Sequence, residues 1–179
     1  MHRHAPKYLF GLSFAESSFF PVPPDVMLAP MAIAQPSKAI RFALLTTIAS
    51  VLGGILGYAI GYFAFDAISG WLQGTHYWDK YLLSKQWFEE WGVWAVFIAG
   101  FSPIPYKVFT ISAGALSMAF LPFTLASIVG RGSRFFLVAI LLSWGGARLE
   151  SLLRVYMDRI GWAMVVLVII GVTIYKFLV

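Results

Sequence analysis

The feature that most constrains the fold is an apolar run from Phe42 to Phe65 that contains no charged residue. About 20 apolar residues are enough for one helix to cross the hydrocarbon core of a bilayer. Over the whole chain 60% of residues are hydrophobic and 12% are charged, whereas soluble domains carry about 25% charged residues. A soluble fold of this size could not bury so much apolar surface. The sequence therefore predicts an all-α integral membrane protein with a single membrane domain, residues 1–179.

Two further spans are predicted. One runs from Pro122 to Trp144, because proline favours the first turn of a helix. This placement puts Arg131 and Arg134 near the middle of the membrane, whereas the alternative span, Val108 to Gly130, would put them at the surface. The other runs to the C-terminus over residues 160–179, giving about three transmembrane helices in all.

Two other apolar stretches, Phe10 to Ala34 and Trp91 to Met118, contain paired prolines that cannot lie inside a regular helix. Non-helical backbone at membrane depth is tolerated only where protein or a water-filled cavity covers it. Both stretches therefore predict re-entrant helical hairpins. Their tips are placed at four prolines: Pro21, Pro23, Pro103 and Pro105.

An internal repeat connects these elements. Residues 19–26 match residues 101–108 in the pattern F-x-P-[VI]-P-x-[charge]-V, and Ala49 to Gly53 matches Ala126 to Gly130. Each unit then consists of a hairpin and one span. Because the chain crosses the membrane once per unit, the second copy has the opposite orientation in the membrane. Inverted repeats are typical of secondary transporters, whose substrate sites lie near the midplane where the repeats meet. The predicted parts are repeat 1 over 8–66, an interfacial amphipathic segment over 67–90, and repeat 2 over 91–147.

Five charged side chains are predicted at membrane depth: Glu16, Asp25, Lys107, Arg131 and Arg134. Each would cost at least ~2.5–3.5 kcal/mol if unpaired, so pairing or water access is required. Asp25 and Lys107 hold equivalent repeat positions and are expected to pair, for stability or for transport. Glu16 is either a protonation switch or the fixed partner of an arginine. Arg131 and Arg134 share a helix face, and this arrangement suits a phosphate or, alternatively, the two acids.

Soluble-enzyme chemistry is not indicated. The chain has no cysteine and only scattered histidines, so neither a metal nor a cofactor is expected. The sequence therefore predicts a protein that is not an enzyme, with intramembrane lipid hydrolysis as the alternative. Basic residues lie singly between apolar runs, a pattern that favours lipid headgroups over nucleic acid. The positive-inside rule predicts a multi-pass protein with a cytoplasmic N-terminus, from basic residues on one side: Arg3, Lys7, Lys38, Arg41, Arg148, Arg154 and Arg159.

Several of these motifs together resemble the DedA family, also called VTT or SNARE-associated Golgi protein-like. They are Glu16, F-F-P-V-P-P-D ending at Asp25, G-x-x-x-G-Y-x-x-G-Y from Gly53, and F-x-P-I-P-Y-K ending at Lys107. The G-R-G-S-R-F run, residues 130–135, resembles the YqaA-like subgroup. The resemblance implies a bacterial inner-membrane protein that moves lipid, either undecaprenyl phosphate or phospholipid, with coupling to the proton motive force.

The resemblance also implies site residues. Glu16 and Asp25 match the family's acidic positions, and Lys107 matches the second of two basic ones. The first basic position is lost, and Arg131 or Arg134 would replace it. The leading hypothesis is therefore a lipid translocase that holds a phosphate headgroup on Arg131, Arg134 and Lys107, with Glu16 and Asp25 as gates. Alternatives are a proton- or ion-coupled small-solute transporter and a non-transporting scaffold. Expected partners are membrane lipids and protons, with a second copy of the chain as a further candidate.

Overall fold

A computed structural model describes residues 4–18, 22–75, 77–102 and 105–146. This part of the chain is helical and contains no strand. Its α-helices are α1 Ala5–Ser18, α2 Asp25–Ala34, α3 Ala39–Leu72, α4 Tyr77–Phe101, α5 Tyr106–Ala115 and α6 Phe120–Gly146, with a 3-10 turn at Pro36–Lys38 before α3. Several predictions lie outside the described residues: the span over 160–179, the tip residues Pro21 and Pro103, and the basic residues Arg3, Arg148, Arg154 and Arg159.

Two helices in the described part are long and apolar enough to cross a membrane, α6 and the helical stretch Pro36–Leu72 that contains α3. The stretch Pro36–Leu72 contains the predicted span from Phe42 to Phe65, and α6 contains the one from Pro122 to Trp144. The alternative span, Val108 to Gly130, is wrong because the chain turns between α5 and α6, where Ser117 has a positive φ of 55°. Both predicted arginines therefore lie in the interior of α6.

Each proline motif separates two helices. The helix α1 ends at Ser18 and α2 begins at Asp25, directly after Pro23 and Pro24. In the second motif α4 ends at Phe101, and α5 begins directly after Pro105. Proline fixes φ near the helical value and lacks the N–H that a preceding turn would need, so it starts a helix more readily than it continues one.

The segment between the repeats differs from its predicted bounds. Residues 67–90 are not one element, because α3 continues to Leu72 and α4 runs without a break through residue 91 to Phe101. The sequence from Tyr77 to Trp91 contains neither glycine nor proline, so nothing in it ends the helix. The first arm of the second proline motif is therefore a long helix that also carries the tryptophan-rich segment.

Helix α3 lies at the centre and carries a stripe of glycines that its neighbours approach closely. A Cβ at Gly53 would collide with the main-chain carbonyl of Phe14 in α1, and one at Gly61 with that of Ile111 in α5. Small residues at this four-residue spacing let helices approach at backbone distance. The G-x-x-x-G stripe is therefore a packing surface.

Replacing Gly61 by alanine should lower the free energy of unfolding by about 1–3 kcal/mol, because its methyl group would push α5 away from α3. Gly70, on the same helix, has open space where its Cβ would lie. Gly70→Ala should therefore be neutral or raise stability by up to about 1 kcal/mol through helix propensity. Thermal unfolding in detergent measures both variants, and equal melting temperatures would contradict the close packing of α5 on α3.

The two units pack on each other in a reciprocal way. Leu28 and Ala32 of α2 share a buried core with Phe135 of α6, while Gly114 of α5 abuts the main chain at Tyr58 of α3. The shorter helix after each proline motif thus packs on the long helix of the other unit.

A second correspondence involves the first helix of each unit. A Cβ at Gly130 in α6 would lie 2.7 Å from the carbonyl oxygen of Phe97 in α4. This contact matches the approach of Gly53 in α3 to Phe14 in α1. Gly53 and Gly130 end the two matching five-residue segments of the sequence, so the sequence match has a counterpart in the packing.

Candidate functional site

Arg131 projects from the interior of α6 and is almost completely buried, with 2% of its side chain exposed. It donates from Nε to Oγ of Ser50 at 2.5 Å and from Nη2 to Oε2 of Glu16 at 2.5 Å. Nη2 also lies 3.3 Å from Oγ of Ser17, which is itself 2.6 Å from the Ser50 hydroxyl. One guanidinium therefore joins α1, α3 and α6.

Two aromatic rings complete the surroundings of Arg131. Its Cζ lies 4.9 Å from the ring centre of Tyr106 and 4.7 Å from that of Phe135. Cations are attracted to the faces of such rings, more so when they are desolvated. Tyr106 is fully buried and donates its hydroxyl proton to Oγ of Ser127 at 2.5 Å. The Arg131–Glu16 pair is thus enclosed, and both of its members are held by several partners.

Arg134 forms the second ion pair, one turn further along α6. Its Nη2 donates to Oδ2 of Asp25 at 2.5 Å, and its Nη1 donates to the main-chain oxygen of Ser102 at 2.6 Å. Asp25 begins α2 and Ser102 directly follows α4. The guanidinium therefore connects the two proline motifs, one from each unit.

This second pair is more open and less satisfied than the first. The exposed fraction of the side chain is 10% for Arg134 and 25% for Asp25, against 14% for Glu16. Three buried polar atoms here have no hydrogen-bond partner among the described residues: Oδ1 of Asp25, Oγ of Ser102 and Nε of Arg134. Unsatisfied buried polar atoms are rare in folded proteins and call for an explanation.

The structure brings together four of the five charged residues predicted at membrane depth. Each arginine on α6 holds one acid, which is the alternative to direct phosphate binding that the sequence left open. For Asp25 the ion pair that the structure shows is with Arg134, and a contact with Lys107 stays a prediction. Lys107 lies half-buried in the first turn of α5.

Sequence reasoning missed the hydroxyl groups that surround the first ion pair. Ser13 and Ser17 lie four residues apart on α1 and face Thr46 and Ser50, four apart on α3. Residues at this spacing share a helix face, so matching pairs of small hydroxyl residues in two apolar helices were the available signal. Among the described residues, no group of three or more histidine, aspartate or glutamate side chains could hold a metal ion.

Several known proteins are similar in sequence to this chain. The profile of the VTT domain family matches residues 22–143. A Haemophilus influenzae protein described as uncharacterized is 50% identical over 175 residues, 98% of this chain and 91% of that protein. A Histophilus somni protein is 47% identical over 98% of this chain and 92% of its own length. Undecaprenyl phosphate transporter A of Staphylococcus aureus is 30% identical over 132 residues, 68% of this chain and 64% of that protein. No solved structure matches the chain significantly.

Proposed function

Because this chain belongs to the VTT domain family, also called the DedA family, we propose that it is a membrane transport protein that moves a phosphate-bearing lipid between the leaflets of a bilayer. The carrier lipid undecaprenyl phosphate and phospholipids both fit this class. One relative is named as an undecaprenyl phosphate transporter. The observation that carries the proposal is the incomplete ion pair between Arg134 and Asp25 where the two proline motifs meet.

A phosphate group can take over the role of the Asp25 carboxylate. Arginine binds carboxylate and phosphate oxygens with the same fork of N–H donors. When a headgroup oxygen replaces Oδ2 of Asp25 on Arg134, the buried positive charge keeps a counterion throughout. Exchange between two counterions avoids the cost of a bare charge at membrane depth, which is several kcal/mol or more.

The two ion pairs are not equally suited to the replacement of a carboxylate by a phosphate. Arg131 is enclosed by hydroxyl groups and aromatic rings. Its pairing with Glu16 therefore has a structural role, which is to hold α1, α3 and α6 together. Arg134 is the better phosphate ligand, with Lys107 as a second cation from the same unit and Arg131 as a neighbouring positive charge. Of the two acids predicted as gates, Asp25 is the better placed because more of its side chain is exposed.

Acyl chains would remain in the lipid while the headgroup crosses. Helix α3 presents a row of exposed apolar side chains at every fourth position, on the face away from its glycines: Leu44, Ile48, Leu52, Leu56 and Ile60. Apolar residues at this spacing form one continuous stripe on a helix. Such a surface needs hydrocarbon as its solvent, and a lipid tail can follow it without desolvation.

The reciprocal packing of the two units supports an inverted repeat of re-entrant hairpins. In transporters built this way, one repeat rocks against the other around a fixed midplane site. A headgroup on Arg134 would lie between Asp25 of one unit and Ser102 of the other, so rocking would open it to each leaflet in turn. We place the protein in the bacterial cytoplasmic membrane with its N-terminus inside, and protonation of Asp25 would provide coupling to protons.

The test is lipid exchange in liposomes that contain the purified full-length chain. A fluorescent polyprenyl phosphate and a fluorescent phospholipid are the probes, and a membrane-impermeant quencher reports the outer-leaflet fraction over time. We expect the wild type to exchange at least one probe. Lys107→Ala should slow that exchange about tenfold through loss of a charged phosphate contact.

Arg41→Ala, which removes an exposed cation from the first turns of α3, is the control and should exchange lipid at the wild-type rate. A folded wild type that exchanges neither probe faster than empty liposomes would refute the proposal.

A further inference from the structure

The two short helices that follow the proline motifs, α2 and α5, are held in place by different kinds of contact. Gly114 of α5 abuts the main chain at Tyr58 of α3, and Gly61 of α3 abuts the main chain at Ile111 of α5. Helix α2 contains no glycine, and its buried side chains share a core with those of α6. Glycines thus bring α5 to backbone distance from α3, whereas α2 meets α6 through side chains.

A bilayer makes these two kinds of contact unequal in strength. Lipid chains are as apolar as leucine, so the hydrophobic effect does not oppose the separation of two apolar helix faces there as it would in water. Close packing at small residues and hydrogen bonds between helices hold membrane helices together instead. The apolar side chains of α2 can therefore exchange α6 for a lipid chain at little cost, whereas α5 would lose its close contact with α3.

Hydrogen bonds increase the difference between the two helices. Tyr106, in the first turn of α5, donates to Oγ of Ser127 in α6 at 2.5 Å, and Tyr58 of α3 donates to the main-chain oxygen of Met118, just beyond α5, at 2.6 Å. Both ends of α5 are thus tied to long helices. In α2 only Asp25 has a polar side chain, and Oδ1 of this residue has no partner among the described residues.

Helix α2 also has a point about which it can turn. It is followed by Gln35, which has a φ of −138° and a ψ of 75°, and then by the 3-10 turn Pro36–Lys38. Conformational changes in proteins are commonly absorbed by a few such residues at the end of an element. A rotation at Gln35 would carry α2 away from α6 and leave α3 in place.

We infer that α2 is a lateral gate, which swings away from α6 to admit the apolar chain of a lipid between the two helices, while α5 stays fixed on α3. The ion pair between Asp25 and Arg134 latches the closed gate, and a headgroup that displaces Asp25 from Arg134 releases it. The identity of what enters rests on the proposed function, but the movement of α2 does not. The rocking of one unit against the other is thereby narrowed to one short helix.

The experiment measures distances between pairs of spin labels on the full chain in phosphatidylcholine nanodiscs by double electron–electron resonance. The chain has no cysteine of its own, so labels attach only to introduced ones. Val26 in α2 and Val108 in α5 hold equivalent repeat positions and are 51% and 54% exposed. Each is paired with the exposed residue directly before the matching five-residue segment on the long helix of the other unit. The gate pair is Val26→Cys with Leu125→Cys, and the matched control pair is Val108→Cys with Ile48→Cys.

Adding a polyprenyl phosphate should lengthen the distance in the gate pair, in part of the population, by at least about 5 Å, half the diameter of a helix. The control pair should keep one narrow distribution. Arg134→Ala, which removes the latch, should lengthen the distance in the gate pair without added lipid. Labelled variants are compared with the wild type in melting temperature, so that a change in distance is read only from folded protein.

The gate and the proposed function fail in different ways. Equal changes in the two pairs, a larger change in the control pair, or a gate pair that Arg134→Ala leaves unchanged would overturn the gate, while lipid exchange in liposomes would still stand. If the gate pair lengthens in Arg134→Ala but the wild type exchanges no lipid, the gate stands and lipid transport is rejected.

Discussion

Replacing Glu16 by leucine should destabilise the chain by about 3–5 kcal/mol, because a buried charge loses its counterion. The Arg131 guanidinium would keep its hydrogen bond to Ser50 but would face apolar helices with its charge uncompensated. Natural domains have only about 5–15 kcal/mol of stability in total. We therefore expect a large loss of folded protein, measured as the monodisperse fraction in detergent and as the melting temperature.

A double variant that removes both charges should restore stability. Combining Glu16→Leu with Arg131→Met removes both charges, and replacing a buried pair with apolar residues of similar volume is often neutral or stabilising. The hydroxyls of Ser17 and Ser50 remain partners of each other at 2.6 Å. The double variant should therefore recover most of the wild-type melting temperature.

Glu90 provides the matched control for the single substitution. It is exposed on α4, and Glu90→Leu should change stability by less than about 0.5 kcal/mol. A Glu16→Leu variant as stable as Glu90→Leu would show that Arg131 does not depend on Glu16. A double variant that remains as unstable as Glu16→Leu would contradict the ion pair as the cause.

The two long apolar spans and the breaks at the proline motifs could be predicted because they depend on local properties. The length of the uncharged run predicted the span from Phe42 to Phe65, and the prolines predicted a break in the helix before α2 and before α5. Proline also decided between the two possible placements of the span that carries Arg131. Each of these features is readable within about 25 residues of sequence, and tertiary contacts did not override them.

The pairing of the charges could not be predicted in the same way. The repeat placed Asp25 and Lys107 at equivalent positions, but equivalence in a repeat says nothing about distance between side chains. The partner that the structure shows for Asp25 is Arg134, which lies 109 residues away and reaches it because α2 packs on α6. That choice depends on how helices from two units cross, a long-range property that local pattern does not contain.

The serines around Arg131 illustrate a second limit. Small hydroxyl residues in membrane helices usually bond to their own backbone, and Thr46 and Thr47 of α3 do so. The Ser50 hydroxyl oxygen instead accepts a hydrogen bond from Nε–H of Arg131. The sequence cannot separate these two uses until the position of the arginine is known.

Replacing Arg134 by alanine should abolish lipid exchange while leaving most of the protein folded. Its loss removes the proposed headgroup ligand, which we expect to slow exchange at least about a hundredfold, since charged pairs of this kind contribute several kcal/mol to binding. Asp25 would lose its counterion, but a quarter of its side chain is exposed. Water can therefore reach it and limit the loss of stability.

The comparison with Arg131→Ala makes this assignment of roles testable, because the two arginines lie three residues apart on one helix and differ chiefly in their surroundings. Arg131→Ala strands Glu16 among the helices that the guanidinium joins, so its melting temperature should fall much further than that of Arg134→Ala. Lipid exchange per folded molecule should fall further in Arg134→Ala. If the two variants lose stability and exchange in equal measure, the ion pairs act as one unit, and the distinction between the enclosed pair and the open pair is wrong.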